Sequence, residues 1–246
     1  MTAERYVLVS GGAGHLGSAV VDRVVESGRQ PVVLDRTPTA RPGVRSLNVD
    51  LAEPTAGESV VRRLLTDLGA PDAVVLCHGW SPKADDGSPL PETAVSAELF
   101  NRVLATNLTS CFLLLQGLLP AMAQAGGGRV AVVGSAAAHT GRTNASAAYA
   151  ASKAGLGALV RILAVRYAPD GVLLNDVSPG KIAHPGWPDS AEMIARYRDE
   201  TPAGRLANAE EVADVIGFLI SEKNTYLTGQ SVICLLYTSP SPRDRT

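Results

Sequence analysis

The first 35 residues carry the pattern that most restricts how this chain can fold. A short apolar run at Tyr6–Val9 leads into the glycine-rich stretch Ser10–Gly17, helix-forming residues follow from Leu16 to Ser27, and a second apolar run, Pro31–Leu34, ends at Asp35. This order of strand, glycine-rich turn, helix, strand and acidic residue is typical of dinucleotide-binding units. Glycines permit a tight turn and a close approach of backbone to a diphosphate, and the helix N-terminus offers N–H donors and a favourable dipole.

Strand and helix patterns alternate along the rest of the chain. Further strands are predicted at Val44–Val49, Ala73–Leu76, Arg129–Val133, Val172–Val177 and Ser231–Leu236, and helices at Glu58–Leu68, Ser96–Ala125, Ala147–Tyr167, Asp189–Arg198 and Ala209–Ser221. Such alternation predicts a single-domain, doubly wound α/β fold of Rossmann type, with a mostly parallel sheet and helices on both faces. In such sheets ligands bind at the carboxyl ends of the strands, so the residues that follow those ends are expected to share one site.

Composition narrows the class of partners. The formal net charge of −2 gives no reason to expect a nucleic-acid or anionic-membrane partner. The apolar run Cys111–Met122 is interrupted by Gln116 and Pro120 and is too short to span a bilayer, so we interpret it as a buried helix. Three cysteines without metal or redox spacing, and an N-terminus without a secretion-signal pattern, favour a cytoplasmic protein with no metal site.

The stretch from Ser135 to Lys153 carries the chemistry. Tyr149 and Lys153 are four residues apart in a predicted helix, so their side chains project from the same face. A neighbouring ammonium favours the phenolate form of a tyrosine, and a group that exchanges a proton is what carbonyl reduction or alcohol oxidation needs. Ser135 follows a predicted strand and would hold the reacting oxygen through its hydroxyl. Alone, the Tyr-x-x-x-Lys spacing is a weak signal, and its weight comes from the glycine-rich turn elsewhere in the chain.

Together these motifs resemble the short-chain dehydrogenase/reductase family in its compact, single-domain branch. The resemblance extends from Tyr6 to about Val232 and includes Asn107, the segment Asn175–Gly180 and the stretch Gly204–Leu206. It implies four catalytic residues, of which Tyr149 exchanges the proton, Ser135 binds the substrate oxygen, Lys153 assists Tyr149 and holds the nicotinamide ribose, and Asn107 helps hold a water that links Lys153 to solvent. It also implies a small-molecule alcohol or ketone as substrate and assembly into a homodimer or homotetramer.

The resemblance and the turn pattern together predict the cofactor contacts. Asp35 would accept both adenosine ribose hydroxyls and repel a 2′-phosphate, so NAD(H) is the preferred cofactor, while Arg36 keeps NADP(H) open. The predicted cofactor-binding residues are Gly11, Gly14, His15, Leu16, Gly17, Asp35, Arg36, Asp50, Leu51, Gly79, Tyr149, Lys153, Pro179, Gly180 and Ile182.

Several positions depart from the family pattern. His15 stands where the compact branch has its middle glycine, and the spacing of Gly11, Gly14 and Gly17 instead follows the extended branch that includes nucleotide-sugar enzymes. His184 replaces a common threonine. Two alternatives therefore stay open beside the dehydrogenase: a catalytically silent nucleotide-binding sensor of the same fold, and an extended-type nucleotide-sugar enzyme.

The C-terminal residues do not resemble the family. We predict a catalytic domain over residues 1–233, followed by a non-native tail over residues 234–246 whose sequence resembles a translated sequencing-library adapter. The substrate is not specified by the sequence, because its pocket is expected in the variable loop after Gly79 and in the segment Lys181–Thr201.

Overall fold

A seven-stranded parallel sheet forms the centre of the molecule. The computed structural model describes residues 5–39, 41–85, 87–140, 145–186 and 191–234, with the side chain of Glu200 excluded. The strands are β1 Tyr6–Ser10, β2 Gln30–Asp35, β3 Arg45–Asn48, β4 Ala73–Leu76, β5 Gly128–Val133, β6 Val172–Ser178 and β7 Ser231–Ile233. Their order is β3-β2-β1-β4-β5-β6-β7, so the chain winds in opposite directions from the junction of β1 and β4. This confirms the predicted doubly wound Rossmann-type fold.

Helices cover both faces of the sheet. They are α1 His15–Glu26, α2 Ala56–Asp67, α3 Ala97–Leu104, α4 Ser110–Gln124, α5 Ala147–Tyr167, α6 Ala191–Glu200 and α7 Ala209–Leu219. Helices α2, α4 and α5 contribute to one apolar cluster, and α1 and α7 contribute to the other. Strand β1 shows how the sheet separates the two clusters, because Leu8 points into the first and Val9 into the second.

Two helical stretches, Ala97–Gln124 and Ala147–Asp170, are long and apolar enough to cross a membrane by length and composition. Their apolar residues are nevertheless used inside the fold, since Leu114, Leu118 and Leu156 are 0% exposed within the cluster that packs on the sheet. We therefore interpret both stretches as core helices, in agreement with the expectation for Cys111–Met122.

Several element boundaries differ from the prediction. The long helix predicted from Ser96 to Ala125 is present over Ala97–Gln124, with a π-helical turn at Ala105–Thr109 between α3 and α4. Strand β7 ends at Ile233, before the predicted Leu236, because Cys234 is already outside the strand. Helix α6 is described from Ala191 onward, and its predicted start at Asp189 lies outside the described residues. Residues 187–190 and 235–246, which include nearly all of the predicted non-native tail, lie outside the described residues.

Candidate active site

The glycine-rich turn joins β1 to α1 at the junction where the winding reverses. Gly11 has φ +70°, and a Cβ there would lie 2.7 Å from the backbone nitrogen of His78. A Cβ on Gly17 would lie 2.0 Å from the carbonyl oxygen of Gly11, so neither position tolerates a side chain without backbone movement. Helix α1 begins after Gly14 without a capping side chain and without an acidic residue in its first turn. A bare helix N-terminus beside a close backbone turn fits the diphosphate of a dinucleotide.

The acidic residue at the end of β2 is held by backbone N–H groups from the glycine-rich turn and from its own loop. The carboxylate of Asp35 accepts hydrogen bonds from the backbone N–H of Ala13 at 3.0 Å and from that of Thr37 at 3.0 Å. The first bond fixes the carboxylate against the glycine-rich turn. Arg36 beside it is exposed, and its carbonyl oxygen accepts a bond from Asn48.

A cleft of about 740 Å³ opens at the carboxyl ends of the central strands. Its walls bring together most of the predicted site residues, namely Gly11, Gly14, His15, Leu16, Gly17, Gly79, Ser135, Tyr149, Pro179, Gly180 and Ile182. The lining found among the described residues does not include Asp35, Arg36, Asp50 or Leu51, which lie at or just beyond the ends of β2 and β3. Leu51 is buried, and Asp50 accepts a bond from the backbone N–H of Ala52.

Tyr149 and Lys153 extend from the first turns of α5. Ser146 caps this helix by accepting a hydrogen bond from the backbone N–H of Tyr149. The Lys153 side chain is buried behind the cleft, where its Nζ donates to the carbonyl oxygen of Val133 at 2.7 Å and lies 5.8 Å from the centre of the Tyr149 ring. The cation is thereby fixed beside the phenol ring, while Tyr149 itself faces the cleft.

Ser135 is positioned by hydrogen bonds between the ends of β5 and β6. The backbone N–H groups of Gly134 and Ala136 donate to the carbonyl oxygens of Val177 and Pro179, both at 2.8 Å. The hydroxyl of Ser135 accepts a bond from the backbone N–H of Ala137 at 3.2 Å and begins a short 3₁₀ turn. Ser135 therefore reaches the cleft from a rigid strand end.

Asn107 lies behind the cleft, inside the π-helical turn, and its side chain is fully buried. Its Oδ1 accepts from the backbone N–H of Trp80 at 2.7 Å, while its Nδ2 donates to the carbonyl oxygen of Trp80 at 2.9 Å and to Ser152 Oγ at 3.0 Å. The side chain thus anchors the loop that follows β4. A Cβ on Gly79 would lie 3.5 Å from Asn107 Oδ1 and 3.2 Å from Lys153 Nζ, so Gly79, which lines the cleft, lies close to both groups.

His78 joins three elements beneath the site. One ring nitrogen lies 2.5 Å from Ser10 Oγ, and the other lies 2.8 Å from Ser110 Oγ and 3.5 Å from Cys111 Sγ. Burial, with a further contribution from the Lys153 ammonium, lowers the pKa of His78 to about 3. His78 is therefore a neutral hydrogen-bonding partner of the two hydroxyls. Among the described residues, no group of three or more His, Cys, Asp or Glu side chains is arranged to hold a metal ion.

A polar chain under Ser135 was not identified from the sequence. Ser178 Oγ donates to Asp176 Oδ2 at 2.9 Å, and His139 Nε2 lies 3.1 Å from the same hydroxyl. Asp176 is 1% exposed, and its Oδ1 is buried without a hydrogen-bond partner. The signal in the sequence that could have pointed to this group is Asp176, a carboxylate inside the otherwise apolar strand Val172–Val177. His139 belongs to this hydrogen-bonded group, and the neighbouring Thr140 lines the cleft.

The remaining cleft wall comes from the regions expected to hold the substrate. Trp80, Ser81, Lys83, Ala84, Asp85 and Gly87 follow β4, and Lys181, His184 and Tyr197 come from the segment after β6. Lys181 Nζ lies 5.6 Å from the centre of the Tyr197 ring. On the cofactor side, His15 Nε2 lies 2.8 Å from the carbonyl oxygen of Ala183, and the rings of His15 and His184 meet edge to face with centroids 4.5 Å apart.

Comparison with known proteins identifies relatives along almost the whole chain. A family profile described as enoyl-(acyl carrier protein) reductase matches residues 15–234. Cis-4-hydroxycyclohexanecarboxylate dehydrogenase of Sinomonas cyclohexanicum is 33% identical over 241 residues, which cover 92% of this chain and 93% of that protein. An uncharacterised oxidoreductase of Schizosaccharomyces pombe is 31% identical over 243 residues, covering 94% and 90% of the two chains.

Solved structures give the same result. The crystal structure of a Thermus thermophilus protein superposes with a TM-score of 0.84 at 31% identity, covering 94% of this chain and 96% of that one. Aldohexose dehydrogenase of Thermoplasma acidophilum, at 20% identity and a TM-score of 0.83, supports the fold alone. The profile match, the extent of the relatives and the shared sheet place this chain in the short-chain dehydrogenase/reductase family of oxidoreductases.

Proposed function

We propose that this protein transfers a hydride between NAD(H) and an alcohol or ketone, with Tyr149 as the proton donor and acceptor. The observation that carries the proposal is the shared cleft, in which Tyr149 and Ser135 open onto the same space as the glycine-rich turn. Relatives named as dehydrogenases support the reaction class. A nucleotide-binding sensor would not require a proton-exchanging phenol and a hydroxyl facing one space beside the turn.

In the reducing direction, the nicotinamide would supply the hydride to the carbonyl carbon, and the chain's own residues would manage the oxygen. Ser135 would donate a hydrogen bond to the carbonyl oxygen, and Tyr149 would deliver the proton that completes the alcohol. The buried ammonium of Lys153, 5.8 Å from the ring centre, would stabilise the phenolate that remains until it regains a proton from solvent. Oxidation of an alcohol would follow these steps in reverse. Asn107 would act by holding the loop that shields Lys153.

The preference for NAD(H) over NADP(H) is part of the proposal and depends on Asp35. Its carboxylate is held at the end of β2 beside the glycine-rich turn, where a 2′-phosphate would meet a like charge. Asp50 and Leu51 would flank the adenine. We also propose that the protein is cytoplasmic. We further propose a homo-oligomer, because α5 exposes Ile162 and Val165 at 63% and 79% on the side away from the sheet.

The substrate side of the cleft suggests which compounds to test first. Lys83 and Lys181 both line it, so the panel includes secondary alcohols and ketones with and without a carboxylate. The relative that is named for a hydroxycyclohexanecarboxylate supports including cyclic hydroxy acids.

Replacing Tyr149 with phenylalanine tests the mechanism, because the ring is kept and only the hydroxyl is lost. We expect kcat to fall by ~10²–10⁴, the usual contribution of a general acid–base group, while NADH affinity stays within a few-fold. Tyr226→Phe is the matched control, since Tyr226 is 92% exposed and should retain wild-type kcat. Near-normal turnover by the Tyr149 variant would disprove the mechanism, and NADH binding without turnover on any substrate would favour a sensor.

A further inference from the structure

Two of this chain's departures from the family pattern touch each other. His15 replaces a glycine of the turn, and His184 replaces a threonine after β6, yet their rings meet edge to face with centroids 4.5 Å apart. The two positions are 169 residues apart in the sequence. Both side chains are partly exposed, and both line the cleft.

This contact connects two separate segments of the chain that line the cleft. His15 is the first residue of α1, and the segment that contains Ala183 and His184 is tied in turn to Ala207, whose carbonyl oxygen accepts a bond from the Ala183 N–H at 2.8 Å. Because His15 Nε2 lies 2.8 Å from the carbonyl oxygen of Ala183, the pair joins the start of α1 to the segment that follows β6.

The hydrogen bonds define where the ring protons are. A carbonyl oxygen only accepts, so His15 donates from Nε2 to Ala183. The backbone N–H of Gly186 donates to His184 Nδ1 at 3.0 Å, so the proton of a neutral His184 ring lies on Nε2. Both imidazoles are therefore N–H donors at the side of the cleft where α1 presents its uncapped N-terminus.

From this geometry we propose that His15 and His184 form a clasp that binds the cofactor diphosphate. On binding, the Nε2–H of His15 would stop donating to the Ala183 carbonyl and donate to a phosphate oxygen instead. The clasp depends on the proposed dinucleotide function and adds two side-chain donors to the backbone groups of the turn. A hydrogen bond to a charged oxygen is stronger than one to a neutral carbonyl, so the exchange favours the bound state.

The test measures binding of fragments, so that it does not depend on turnover. ADP binding is followed by calorimetry, and adenosine binding by competition with NADH, for wild type, His15→Gly, His184→Thr and the double variant. The single substitutions restore the residue types expected in the family and should preserve the fold, which thermal melting checks. Val25→Ala is the control, since Val25 is an exposed residue at the other end of α1.

We expect each single variant to bind ADP about five- to tenfold more weakly, and adenosine within twofold of wild type, because adenosine lacks the diphosphate. We expect the double variant to lose less than the product of the two single effects, because the two rings act as one unit. ADP affinities within twofold of wild type, equal losses for adenosine, or strictly multiplicative effects would each overturn the clasp. If NADH-linked turnover is found but ADP affinity does not respond to His15, the clasp fails and the proposed function stands. If wild type binds neither ADP nor NADH, both fail.

Discussion

Replacing His78 with glutamine tests whether this ring is kept neutral by its position between Ser10 and Ser110. The pKa of His78 falls from 6.5 to about 3 on folding, chiefly through burial. Between about pH 3 and pH 6.5, the unfolded chain therefore binds a proton at His78 that the folded chain does not bind. The stabilising effect of the neutral ring is complete above about pH 6.5 and is lost progressively as the pH falls towards about 3.

The size of the effect follows from the shift. Each pH unit inside this window costs up to about 1.4 kcal/mol, so between pH 6.5 and pH 5 the loss is at most about 2 kcal/mol. His78 is part-buried, with some solvent access, and we therefore expect roughly 1 kcal/mol after allowing for solvent screening. Glutamine keeps polar atoms near both hydroxyls but does not titrate, so the variant should lack this component entirely.

Urea titrations at several values between pH 5 and pH 7.5 provide the measurement. At pH 7.5 the variant should be less stable by about 1–3 kcal/mol, because a flexible glutamine cannot hold both buried hydroxyls with the geometry of the imidazole ring. Towards pH 5 the difference between the two proteins should shrink by roughly 1 kcal/mol, since only wild type is destabilised by refusing the proton. If the free energies of unfolding of the two proteins differ by the same amount at every pH in this range, the assignment of a neutral His78 in the folded protein is refuted.

Two further predictions concern the acidic residue at the end of β2 and the N-cap of α7. Asp35→Ala should narrow or invert the preference for NAD(H), because it removes the carboxylate that would repel a 2′-phosphate. The ratio of kcat/KM for NADH and NADPH measures this preference. A wild-type protein that uses NADPH better would show that the role of Asp35 was misread. Asn208→Ala should lower the free energy of unfolding by about 0.5–2 kcal/mol, because it breaks the capping box in which Asn208 and Glu211 bond each other's backbone N–H. Asn208→Asp keeps the capping oxygen and should lose much less, and equal losses in both variants would count against the cap.

The central strands β1, β4 and β5 were predictable because each is a short apolar run next to a glycine or an acidic residue. A parallel strand buried on both faces needs that pattern, and β1, β4 and β5 show it clearly. The strand order also fixed which residues gather at one edge, which is why Ser135, Tyr149 and the glycine-rich turn share the cleft that the sequence led us to expect.

The features that were missed depend on contacts between distant parts of the chain. The π-helical turn cannot be identified from its own residues, because Asn107 is held there by hydrogen bonds to the backbone N–H and carbonyl oxygen of Trp80, which lies on another element. The environment of Asp176 is set by Ser178 and by His139 from another element. The contact between His15 and His184 likewise forms only when the sheet brings the residues that follow β1 and those that follow β6 to the same end of the strands. Local pattern carries no information on such pairings.

The packing of α1 against α7 has a consequence for how the protein is made. Val20 and Val24 of α1 share an apolar cluster with Val212 and Ile216 of α7, and Arg23 pairs with Asp214 across the two helices at 2.6 Å. Helix α7 begins more than 180 residues after α1 ends. At a synthesis rate of ~5–20 residues per second, α1 waits roughly 10–40 s on the ribosome before its partner emerges. During that interval the part of α1 that packs against α7 is uncovered, so the nascent chain has an early hydrophobic surface that is covered once α7 emerges.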